Sequence, residues 1–473
     1  MRIPVFREKY RDVSRENTGE EEVALHGRLQ SVRRASSKLV FLDLTGEFEH
    51  VQAMCNFRKL ESSGVDLATF KGLSKLLRRG DLISIRGRAL LSPSLVPLPF
   101  KLEEEDAKVH NRHIDMLVNR ETADVLRLRS YIMKYMRDFF HDQGFLEFQT
   151  PILAENAGGA VARPFTTTSP YVNSDELSLR IAPELWLKRL VVGGVDRVFE
   201  MGPAFRNEGI DLSHNPEFTM CEFYNAYASL SDLIAQTEDL ISGLAHHCQE
   251  LISTKLTSLP QFDLSRYQKP YKQLEFIPSL EAALGFTLPD LSSDTAHADL
   301  VSLLQTHDNP LTPEASALTL PKLLDKLAGE YLEPHSSSTP LFITHHPACM
   351  SPLSKSFTCP KTNQLVSART ELFVDSRELA NMYEEENDPF AQRRKFVEQA
   401  MRQQRQAGGE EDGEAMVVDE SYVQALESGL PPTGGWGCGI ERLVMLFSGV
   451  KRISDTLSFG NLRNVVGISG RRK

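Results

Sequence analysis

Aromatic and ionisable side chains recur at every second position in the string FRNEGIDLSHNPEFTMCEFY, residues 205–224. Successive side chains of a β-strand point to opposite faces, so residues two apart share a face. In the second half of the string, that face would carry Phe218, Met220, Glu222 and Tyr224. Such a face could hold a nucleotide at one end and a cation at the other. A half-exposed hairpin with surface charges is the simpler alternative, but it leaves the ionisable groups beside Phe218 and Met220 unexplained.

The first half of the string predicts a second strand, on which Arg206 and Glu208 alternate with other side chains and point inward. Between the two halves stand Gly209, Asn215 and Pro216, residue types that favour turns. The sequence therefore predicts a hairpin that presents an arginine, two glutamates and two aromatic rings on one face.

The same string resembles motif 2 of the class II aminoacyl-tRNA synthetases, in the form found in lysyl-tRNA synthetases. The resemblance implies an enzyme that joins lysine and ATP to lysyl-adenylate and then passes lysine to the terminal ribose at the 3′ end of a lysine tRNA. The substrate carboxylate itself attacks the α-phosphorus, so no protein nucleophile is required. The site must instead supply alignment and stabilisation of charge.

The resemblance assigns two catalytic arginines to the ATP side of the site. Arg206 would clamp the α-phosphate, because a guanidinium binds such oxygens through two parallel hydrogen bonds. Arg442 would contact the γ-phosphate and cover the adenine, and Phe218 would stack beneath the base. The other implied ATP ligands are Glu208, His214, Asn215, Glu371, Glu378 and Gly439.

A glycine-rich string, GLPPTGGWGCGIERLVML at residues 429–446, leads into a predicted helix. Its glycines free the backbone to pass close to a flat ligand. The helix is predicted to begin at Ile440, which puts Arg442 in the first turn, where backbone N–H groups and the helix dipole favour anions. A glycine-rich loop alone is a weak signal, but this string with GIER resembles class II motif 3 specifically.

Two glutamates, Glu371 and Glu378, flank the turn-forming segment 374–377. A hairpin there would bring the two carboxylates near each other, and carboxylates together with nucleotide phosphates commonly hold magnesium in proteins. The resemblance likewise implies that Glu371 and Glu378 bind Mg²⁺. A charged, exposed hairpin is the alternative, and it would be favoured if the motif 2 string were absent.

Lysine recognition is expected from acceptor groups on adjacent strands. Period two places Asn381, Tyr383 and Glu385 on one face of the second strand of that hairpin. A buried carboxylate that lacks a partner is costly, so a pocket of this kind should reject a neutral side chain such as asparagine. The expected lysine side-chain partners are Glu222, Tyr224, Asn381, Tyr383 and Glu385. Glu184 and Gly159 are expected at the α-amino end.

The sequence around Glu184 and Gly159 says less about their roles. Residues 180–186, RIAPELW, form a strand-like pattern that leaves Glu184 either as a solvated edge residue or as an inward carboxylate. Gly159 belongs to the string GGA at 158–160, a turn whose permissive backbone could let a ligand approach closely.

Two other functions are alternatives for this sequence. The first is an aspartyl- or asparaginyl-tRNA synthetase of the same subclass, against which the acidic pocket argues; an aspartyl enzyme would need cationic residues where this chain has acidic ones. A non-catalytic tRNA-binding paralogue would be favoured by the loss of either arginine or of a magnesium glutamate, and none is lost.

Short strand patterns at residues 23–29, 38–44 and 50–54, a helical pattern near 67–77 and a strand pattern at 81–88 predict a small closed barrel of the OB type. Such barrels bind single-stranded nucleic acid by stacking bases on aromatic rings and following the backbone with basic side chains. This region would be an anticodon-binding domain.

The predicted anticodon contacts are Arg28, Phe41 and Gln52. Phe41 would be a stacking platform and Gln52 a reader of a base edge, although Phe41 as ordinary barrel core fits the sequence equally well. Related synthetases read the middle anticodon base with an aromatic and a glutamine at this spacing, which favours the functional interpretation. One feature departs from the family. After Arg88 the chain turns almost directly into residues 90–93, so the last barrel strand is predicted to be missing.

A long helical pattern runs from Ala123 through Phe140 and stops at residues 143–144, where glycine suits a helix end. A strand pattern follows at residues 145–151. This helix–strand unit resembles class II motif 1, which implies a homodimer whose interface the unit builds.

Together these patterns predict an α+β protein. Residues 1–100 would form the shortened OB-fold domain, and residues 101–122 a linker. Residues 123–473 would form a class II catalytic domain with an antiparallel sheet flanked by helices. Residues 255–310 contain prolines and predict irregular structure without catalytic groups.

Composition bounds the function further. The 473 residues carry 53 basic and 64 acidic side chains, a net charge of −11, which argues against binding nucleic acid through bulk charge but not through a local basic patch. Six scattered cysteines without CxxC pairs indicate reduced thiols and no zinc site. No apolar run is long enough for a membrane helix. The tail string at 452–464 is similar to fungal mitochondrial forms, which favours the mitochondrial matrix. The cytoplasm is the alternative, because no presequence pattern is visible.

Overall fold

A computed structural model describes residues 1–9, 23–60, 64–85, 89–92, 98–155, 158–160, 162–171, 176–406 and 419–460. The chain divides into two compact units, Met1–Asn119 and Arg120–Lys473. Two stretches used above lie outside the described residues: the end of the fourth strand pattern at 86–88, and the tail beyond residue 460.

In its described residues, the first unit contains five strands and five short helices. The strands are β1 (His26–Ser36), β2 (Leu39–Gly46), β3 (Glu49–Asn56), β4 (Leu82–Ser84) and β5 (Ala89–Ser92). The helices are α1 (Ile3–Lys9), α2 (Phe57–Leu60), α3 (Leu67–Leu76), α4 (Glu105–His110) and α5 (Arg112–Val118). The strands form one antiparallel sheet in the order β3-β2-β1-β4-β5.

Alternating apolar residues give this sheet one buried face. Val40, Leu42 and Leu44 of β2 are buried and pack with Leu29 of β1 and Phe70 of α3. Side chains two residues apart on β2 thus share the buried face, as strand geometry requires.

The end of this sheet differs from the prediction. β5 pairs with β4, with Ala89 opposite Ser84, so a short fifth strand is present where none was expected. An antiparallel strand can follow its neighbour after a short connection. The short segment between β4 and β5 therefore still allows a paired fifth strand. Within the described ranges β5 does not pair with β3, and the sheet is open instead of closed into the predicted barrel. The predicted linker at residues 101–122 contains α4 and α5 and the first residues of a longer helix.

The second unit contains ten helices and thirteen strands in its described residues. The helices are α6 (Arg120–Asp142), α7 (Glu184–Val192), α8 (Leu230–Thr254), α9 (Phe276–Leu284), α10 (Ala296–Thr306), α11 (Thr312–Ala315), α12 (Leu320–Tyr331), α13 (Pro389–Gln406), α14 (Glu420–Glu427) and α15 (Ile440–Ser448). The strands are β6 (Leu146–Glu147), β7 (Leu153–Ala154), β8 (Thr166–Thr167), β9 (Leu177–Leu179), β10 (Arg197–Phe205), β11 (Glu217–Ala226), β12 (Lys272–Glu275), β13 (Leu341–Thr344), β14 (Ser356–Thr358), β15 (Leu365–Ser367), β16 (Arg369–Val374), β17 (Arg377–Glu384) and β18 (Thr433–Gly439).

Eight of these strands form the central sheet, in the order β12-β13-β16-β17-β18-β11-β10-β6. Neighbours are antiparallel from β13 to β10, as predicted, but the two outermost pairs are parallel, which makes the sheet mixed. β7, β9 and β8 form a small separate sheet, and β14 pairs with β15.

One face of the central sheet is covered by α6, α8 and α15. Leu128, Ile132, Met136 and Phe140 of α6 recur every four residues and are fully buried, because residues four apart lie on one side of a helix. They belong to the same core as Phe223 of β11, whose ring stacks on Trp436 of β18 with the centroids 5.1 Å apart. The alternate residues of β11 and β18 must therefore point to the opposite face.

The motif 2 hairpin is shorter than predicted on its first side. β10 ends at Phe205, paired with Glu217, so Arg206 and Glu208 lie in the loop instead of on a strand. Arg206 N donates to Pro216 O at 2.9 Å, but proline has no N–H to return, and the ladder ends there.

Two other segments also differ from their predictions. The residues around Glu184 are not a strand: α7 begins at Glu184, and Leu187 and Val191 bury the same side of that helix. Residues 255–310 are not irregular throughout, since they contain β12, α9 and α10. The predicted motif 1 helix is present as α6, followed by Gly144 with φ of 79°, but the strand after it has only two residues.

Candidate active site

A cavity of about 520 Å³ opens on the face of the central sheet that the three helices leave uncovered. The strand residues that line it are Phe218, Met220, Glu222, Tyr224, Arg369, Glu378, Leu379, Asn381, Tyr383, Gly435, Trp436, Gly437, Cys438 and Gly439. Alternate residues of β11 from Phe218 to Tyr224 and of β17 from Leu379 to Tyr383 share this face, as period two predicts, but, contrary to expectation, the two strands are not adjacent. Register explains the shared face, because β18 lies between the two strands and pairs Gly437 with both Glu222 and Asn381.

Three arginines line the cavity: Arg206 from the motif 2 loop, Arg442 from the first turn of α15, and Arg369 of β16. The Arg206 guanidinium lies over the Phe218 ring, 5.2 Å from its centroid. Burial lowers the pKa of Arg206, while the charge of Glu208 opposes that effect. Its Nε is buried and has no hydrogen-bond partner among the described residues, so the group has unused capacity to bind an acceptor.

Arg442 is held in place from β17. Its Nη1 donates to the backbone oxygen of Glu378 at 2.7 Å and to the Glu378 carboxylate at 3.1 Å. Gly439, directly before the helix, also lines the cavity and is the N-cap residue of α15. The helix N-terminus and a guanidinium thus face the cavity together, which favours an anion there.

The motif 2 loop places Glu208, His214 and Asn215 along the same cavity. His214 Nδ1 is 2.8 Å from a carboxylate oxygen of Asp211, whose hydrogen bonds from Ser213 and His214 outweigh the effect of partial burial and lower its pKa to about 2. Asn215 Nδ2 donates to Glu217 O at 2.6 Å, which fixes the amide and leaves its Oδ1 buried without a partner in the described structure.

The other end of the cavity is acidic. Glu222 is 3% exposed, and Tyr224 donates to it from two residues away at 3.2 Å. Burial, and then the charge of Glu184, raise the pKa of Glu222 to about 8. Glu184 is also 3% exposed and accepts a hydrogen bond from Tyr383 Oη at 2.7 Å. A buried carboxylate with a raised pKa indicates that a cation is needed at this end to stabilise its ionised form.

Gly159 approaches Glu184 closely. A Cβ added at this position would lie 2.9 Å from Glu184 Cβ, and its φ of 93° is a conformation that favours glycine. The predicted pairing of Gly159 with Glu184 is therefore present in the structure.

Glu385 does not line the cavity, contrary to the prediction. It follows the last residue of β17, is fully buried, and forms an ion pair with Lys188 of α7 at 2.5 Å. Its Oε2 pairs with this cation of the chain itself, while its Oε1 is buried without a hydrogen-bond partner among the described residues.

The two predicted magnesium glutamates are held by cations of the chain. Glu371 contacts Arg369 and His346, which outweigh the effect of burial and lower its pKa to about 2. Glu378 lines the cavity beside Arg442, whereas Glu371 is not among the residues that line it. Within the described ranges, no three His, Cys, Asp or Glu side chains are grouped so that they alone could bind a metal ion. Magnesium usually takes only one or two carboxylates together with phosphates and water, so this donor set fits a metal that arrives with a nucleotide.

Two residues that sequence reasoning missed position the predicted ligands. Arg369 of β16 donates to Asn381 Oδ1 at 3.0 Å and to Met350 O at 3.0 Å, which ties two walls of the cavity together. Lys188 lies between Glu184 and Glu385. Their spacing in the sequence could have indicated both roles. Arg369 is two residues before Glu371, so the two share a strand face, and Lys188 is four residues after Glu184, so these two share a helix face.

The three predicted anticodon residues lie on the first unit, on strands β1, β2 and β3. Phe41 points away from the core that its neighbours Val40 and Leu42 join, and the Arg33 guanidinium lies 4.4 Å from its ring centroid. The alternative of Phe41 as a core residue is thus not what the structure shows. Gln52 is exposed and donates to Asp43 at 2.8 Å. Arg28 donates to Gly80 O at 2.8 Å.

Every helix in the described part of the chain is too short or too polar to span a bilayer.

Comparisons with known proteins agree with this arrangement. A family model described as tRNA synthetases class II (D, K and N) matches residues 104–463. A mitochondrial lysine–tRNA ligase of Schizosaccharomyces pombe is 39% identical, over 98% of this chain and 88% of its own length. A probable cytoplasmic lysine–tRNA ligase of Encephalitozoon cuniculi is 36% identical, over 97% of this chain and 91% of its own. A lysine–tRNA ligase of Clostridium tetani is 34% identical, over 95% and 88%.

These matches confirm the resemblance to lysyl-tRNA synthetases and the prediction that the chain is an aminoacyl-tRNA synthetase. The family match spans most of the chain, and the three relatives align along nearly all of it. The chain therefore belongs to the class II tRNA synthetases of the D, K and N group.

Proposed function

We propose that this chain is a lysine–tRNA ligase that activates L-lysine with ATP and transfers it to the 3′ end of lysine tRNA. The observation that carries the proposal is one cavity with two buried carboxylates, Glu184 and Glu222, at one end and two guanidinium groups at the other. The relatives' names and the motif strings support the same activity. An aspartate or asparagine side chain would bring no cation to the buried carboxylates, so neither substrate suits this pocket.

ATP binds at the arginine end. Arg206 holds the α-phosphate with its unpartnered Nε and its Nη groups, and Arg442 contacts the γ-phosphate. The adenine lies between Phe218 and Arg442, while Glu208, His214, Asn215 and the backbone at Gly439 complete the nucleotide site. These are the cavity residues of matching chemistry.

Lysine binds at the acidic end. Its ε-ammonium is held by Glu222 and Tyr224, and its α-ammonium by Glu184 next to Gly159. Tyr383 orients Glu184 through its hydroxyl. Because the pocket is desolvated, these charge-assisted hydrogen bonds are strong. A neutral competitor would leave the buried carboxylates without partners, which is costly.

Asn381 acts on the substrate carboxylate and not on an ammonium. Its Oδ1 accepts a hydrogen bond from Arg369, which orients the amide and directs its N–H groups to a ligand. An N–H donor in the same cavity as Arg206 suits the lysine carboxylate, the group that must attack the α-phosphorus. Asn381 thereby aligns the nucleophile.

Mg²⁺ would be held by Glu378 and Glu371 together with the phosphates, and when bound it neutralises the charge of the departing pyrophosphate. The chain itself holds the reacting groups in line and excludes water. The lysine carboxylate attacks the α-phosphorus, pyrophosphate leaves, and the terminal ribose hydroxyl of the tRNA then displaces AMP from lysyl-adenylate.

Pyrophosphate exchange tests the proposal. The purified protein should exchange labelled pyrophosphate into ATP when L-lysine is present, and not when L-aspartate or L-asparagine replaces it. It should then charge a lysine tRNA transcript. Exchange with aspartate or asparagine alone would assign the chain to a sister enzyme, and no exchange with any amino acid would make it a non-catalytic relative.

The first unit is proposed to be an OB-type anticodon-binding domain. Phe41 and Gln52 lie on neighbouring strands and point away from the core, a suitable surface for a stacked base whose edge Gln52 reads. Arg28 lies on the adjacent strand of the same sheet. Charging of lysine tRNA transcripts with altered middle anticodon bases tests this assignment.

A homodimer through the motif 1 elements is proposed as well. Apolar side chains that follow α6 are exposed, among them Leu146 at 53% and Leu153 at 50%, and a partner would cover them. Sedimentation equilibrium should give twice the chain mass of 53.1 kDa. A single-chain mass at micromolar concentration would contradict this assembly.

The mitochondrial matrix is the proposed location, with the cytoplasm as the alternative. The Schizosaccharomyces pombe relative is named mitochondrial and the Encephalitozoon cuniculi relative cytoplasmic, so the names alone support both compartments. Fractionation of cells that express the protein at its natural level distinguishes the two.

A further inference from the structure

Lys188 is a fully buried cation beside the proposed lysine pocket. Its Nζ lies 2.6 Å from Glu184 Oε1 and 2.5 Å from Glu385 Oε2, and its side chain has no solvent exposure. The two partner carboxylates come from distant parts of the chain, α7 and the residue after β17.

Aromatic rings enclose the same ammonium. Nζ lies 5.5 Å from the ring centroid of Tyr422 in α14, and 5.9 Å from those of Tyr224 and Tyr383. The charges of Glu184, Glu385 and Tyr422 act most strongly on Lys188, and Lys188 in turn acts on the more distant Glu222. Although burial opposes it, the charges of Glu184 and Glu385 raise the pKa of Lys188, so it remains protonated.

Lys188 also orients Glu184. Oε1 of this carboxylate accepts from Lys188 and from Tyr383, which leaves Oε2 for a ligand in the cavity. Glu385 is held by Lys188 through Oε2, while its Oε1 would lie 1.9 Å from a Cβ at Gly435, a residue that lines the cavity. Lys188 therefore binds one oxygen of each carboxylate and holds both carboxylates beside the cavity.

The charges at this end of the pocket add up in a specific way. Glu184, Glu222 and Glu385 carry three negative charges when ionised, and Lys188 carries one positive charge. Two negative charges remain, and free lysine brings two ammonium groups. Arg206 and Asn381 are left out of this count, because Arg206 is proposed to bind the α-phosphate and Asn381 the substrate carboxylate.

We propose that Lys188 is a positioning and specificity-determining residue whose ammonium neutralises one of three buried carboxylates, so that the pocket accepts a ligand with two ammonium groups. The inference rests on the proposed lysine site. A purely structural ion pair is the other possible role, and it predicts no effect on lysine recognition beyond a loss of stability.

Two single variants and their double test the charge count. Lys188→Met leaves one negative charge too many, and Glu385→Gln leaves one too few. Each should raise the lysine KM in pyrophosphate exchange by about 10-fold or more, because a buried charge loses its partner. The ATP KM should change by less than about threefold.

The double variant Lys188→Met with Glu385→Gln restores the count. Two carboxylates again face two substrate ammonium groups, so its lysine KM should be lower than that of either single variant. A purely structural pair predicts an unchanged lysine KM in all three variants, with stability lost in each single variant and partly regained in the double variant. If Lys188→Met fails to fold, comparison of Glu385→Gln with the double variant still decides the matter.

The pH profile gives an independent readout. In Lys188→Met, Glu184 and Glu385 lie together without a cation and share a proton, which lysine binding must displace. Its lysine kcat/KM should therefore rise more steeply with pH than that of the natural enzyme, and the double variant should regain the natural slope. A matched control is Arg189→Met, which removes the neighbouring cation of α7, a residue that contacts Ser421 instead of the pocket.

Unchanged lysine KM and pH profile in Lys188→Met would overturn the inference, as would a double variant no better than the singles. Absence of lysine-dependent exchange in the unmodified enzyme would instead overturn the proposed function, so the two failures are distinguishable.

Discussion

Glu222 shows at the scale of one residue how burial prepares a site for its ligand. Its carboxylate is 3% exposed and its pKa is raised to about 8, first by burial and then by Glu184. In the unliganded enzyme much of Glu222 is therefore protonated at neutral pH. An ammonium group stabilises the ionised form, so lysine binding below pH 8 must release a proton.

This proton release predicts a pH dependence of the lysine KM. The KM should fall as the pH rises from 6 to 8 and then level off, because ionised Glu222 is the binding form and becomes the main species above its pKa. Glu222→Gln removes the titrating group and the charge. It should make the lysine KM nearly independent of pH over this range. It should also weaken lysine binding by about 2–5 kcal/mol, which raises the KM roughly 30-fold to several thousand-fold. A Glu222→Gln enzyme that keeps the same pH dependence would assign the titration to another group.

Arg206 supports a second prediction at this scale. A lysine cannot reproduce the two parallel hydrogen bonds of a guanidinium, and the group is needed most where charge develops at the α-phosphate. Arg206→Lys should lower kcat for pyrophosphate exchange by about 100- to 1,000-fold. Arg393→Lys alters a partly exposed ion pair with Glu420 and should stay within about twofold. A fall in kcat of less than about fivefold for Arg206→Lys would remove Arg206 from the catalytic residues.

The glycine-rich strand β18 is the element that lets the two halves of the pocket meet. It lies between β11 and β17, and side chains there would fill the space in which Glu222, Tyr224 and Asn381 face the ligand. At Gly435 an added Cβ would lie 1.9 Å from Glu385 Oε1 and 2.7 Å from a Tyr224 ring carbon. Both contacts are too short for the present arrangement to persist.

A pair of alanine variants tests this role of β18. Gly435→Ala should destabilise the protein by about 1–3 kcal/mol through overpacking and raise the lysine KM, because Glu385 and Tyr224 must move. Gly439→Ala is the matched control in the same strand, since its Cβ would meet only Arg442 Cγ, at 4.0 Å. Thermal unfolding should show little change for Gly439→Ala. Equal destabilisation of both variants would refute the steric explanation.

At the scale of the whole molecule, the chain separates two tasks between its units. The cavity with the proposed chemistry is built entirely from the second unit, and the three proposed anticodon residues belong to the first. Amino-acid activation and tRNA selection should therefore respond to different substitutions.

Phe41→Ala tests that separation. Loss of a stacking platform costs about 1–3 kcal/mol per base, so kcat/KM for lysine tRNA should fall by roughly 5- to 150-fold. Lysine-dependent pyrophosphate exchange, which needs no tRNA, should remain unchanged. Leu73→Ala changes another exposed apolar residue of the same unit and should leave tRNA charging intact. Equal effects of Phe41→Ala on exchange and charging would contradict separate tasks.

The sequence alone determined most of what depends on local spacing. Period two in β11 and β17 predicted the shared face of Glu222, Tyr224, Asn381 and Tyr383, and the glycine string before Ile440 predicted the start of α15. These features follow from backbone geometry within a few residues, so the spacing of residues along the sequence is enough to predict them.

Tertiary structure decided which of the acidic residues face a ligand. Lys188 and Glu385 are 197 residues apart in the chain, and their ion pair depends on how α7 packs beside the end of β17. The register of β18 likewise set Glu222 opposite Asn381. Charge compensation in a buried site depends on distances between such remote groups, so spacing along the chain predicted the carboxylates but not their partners.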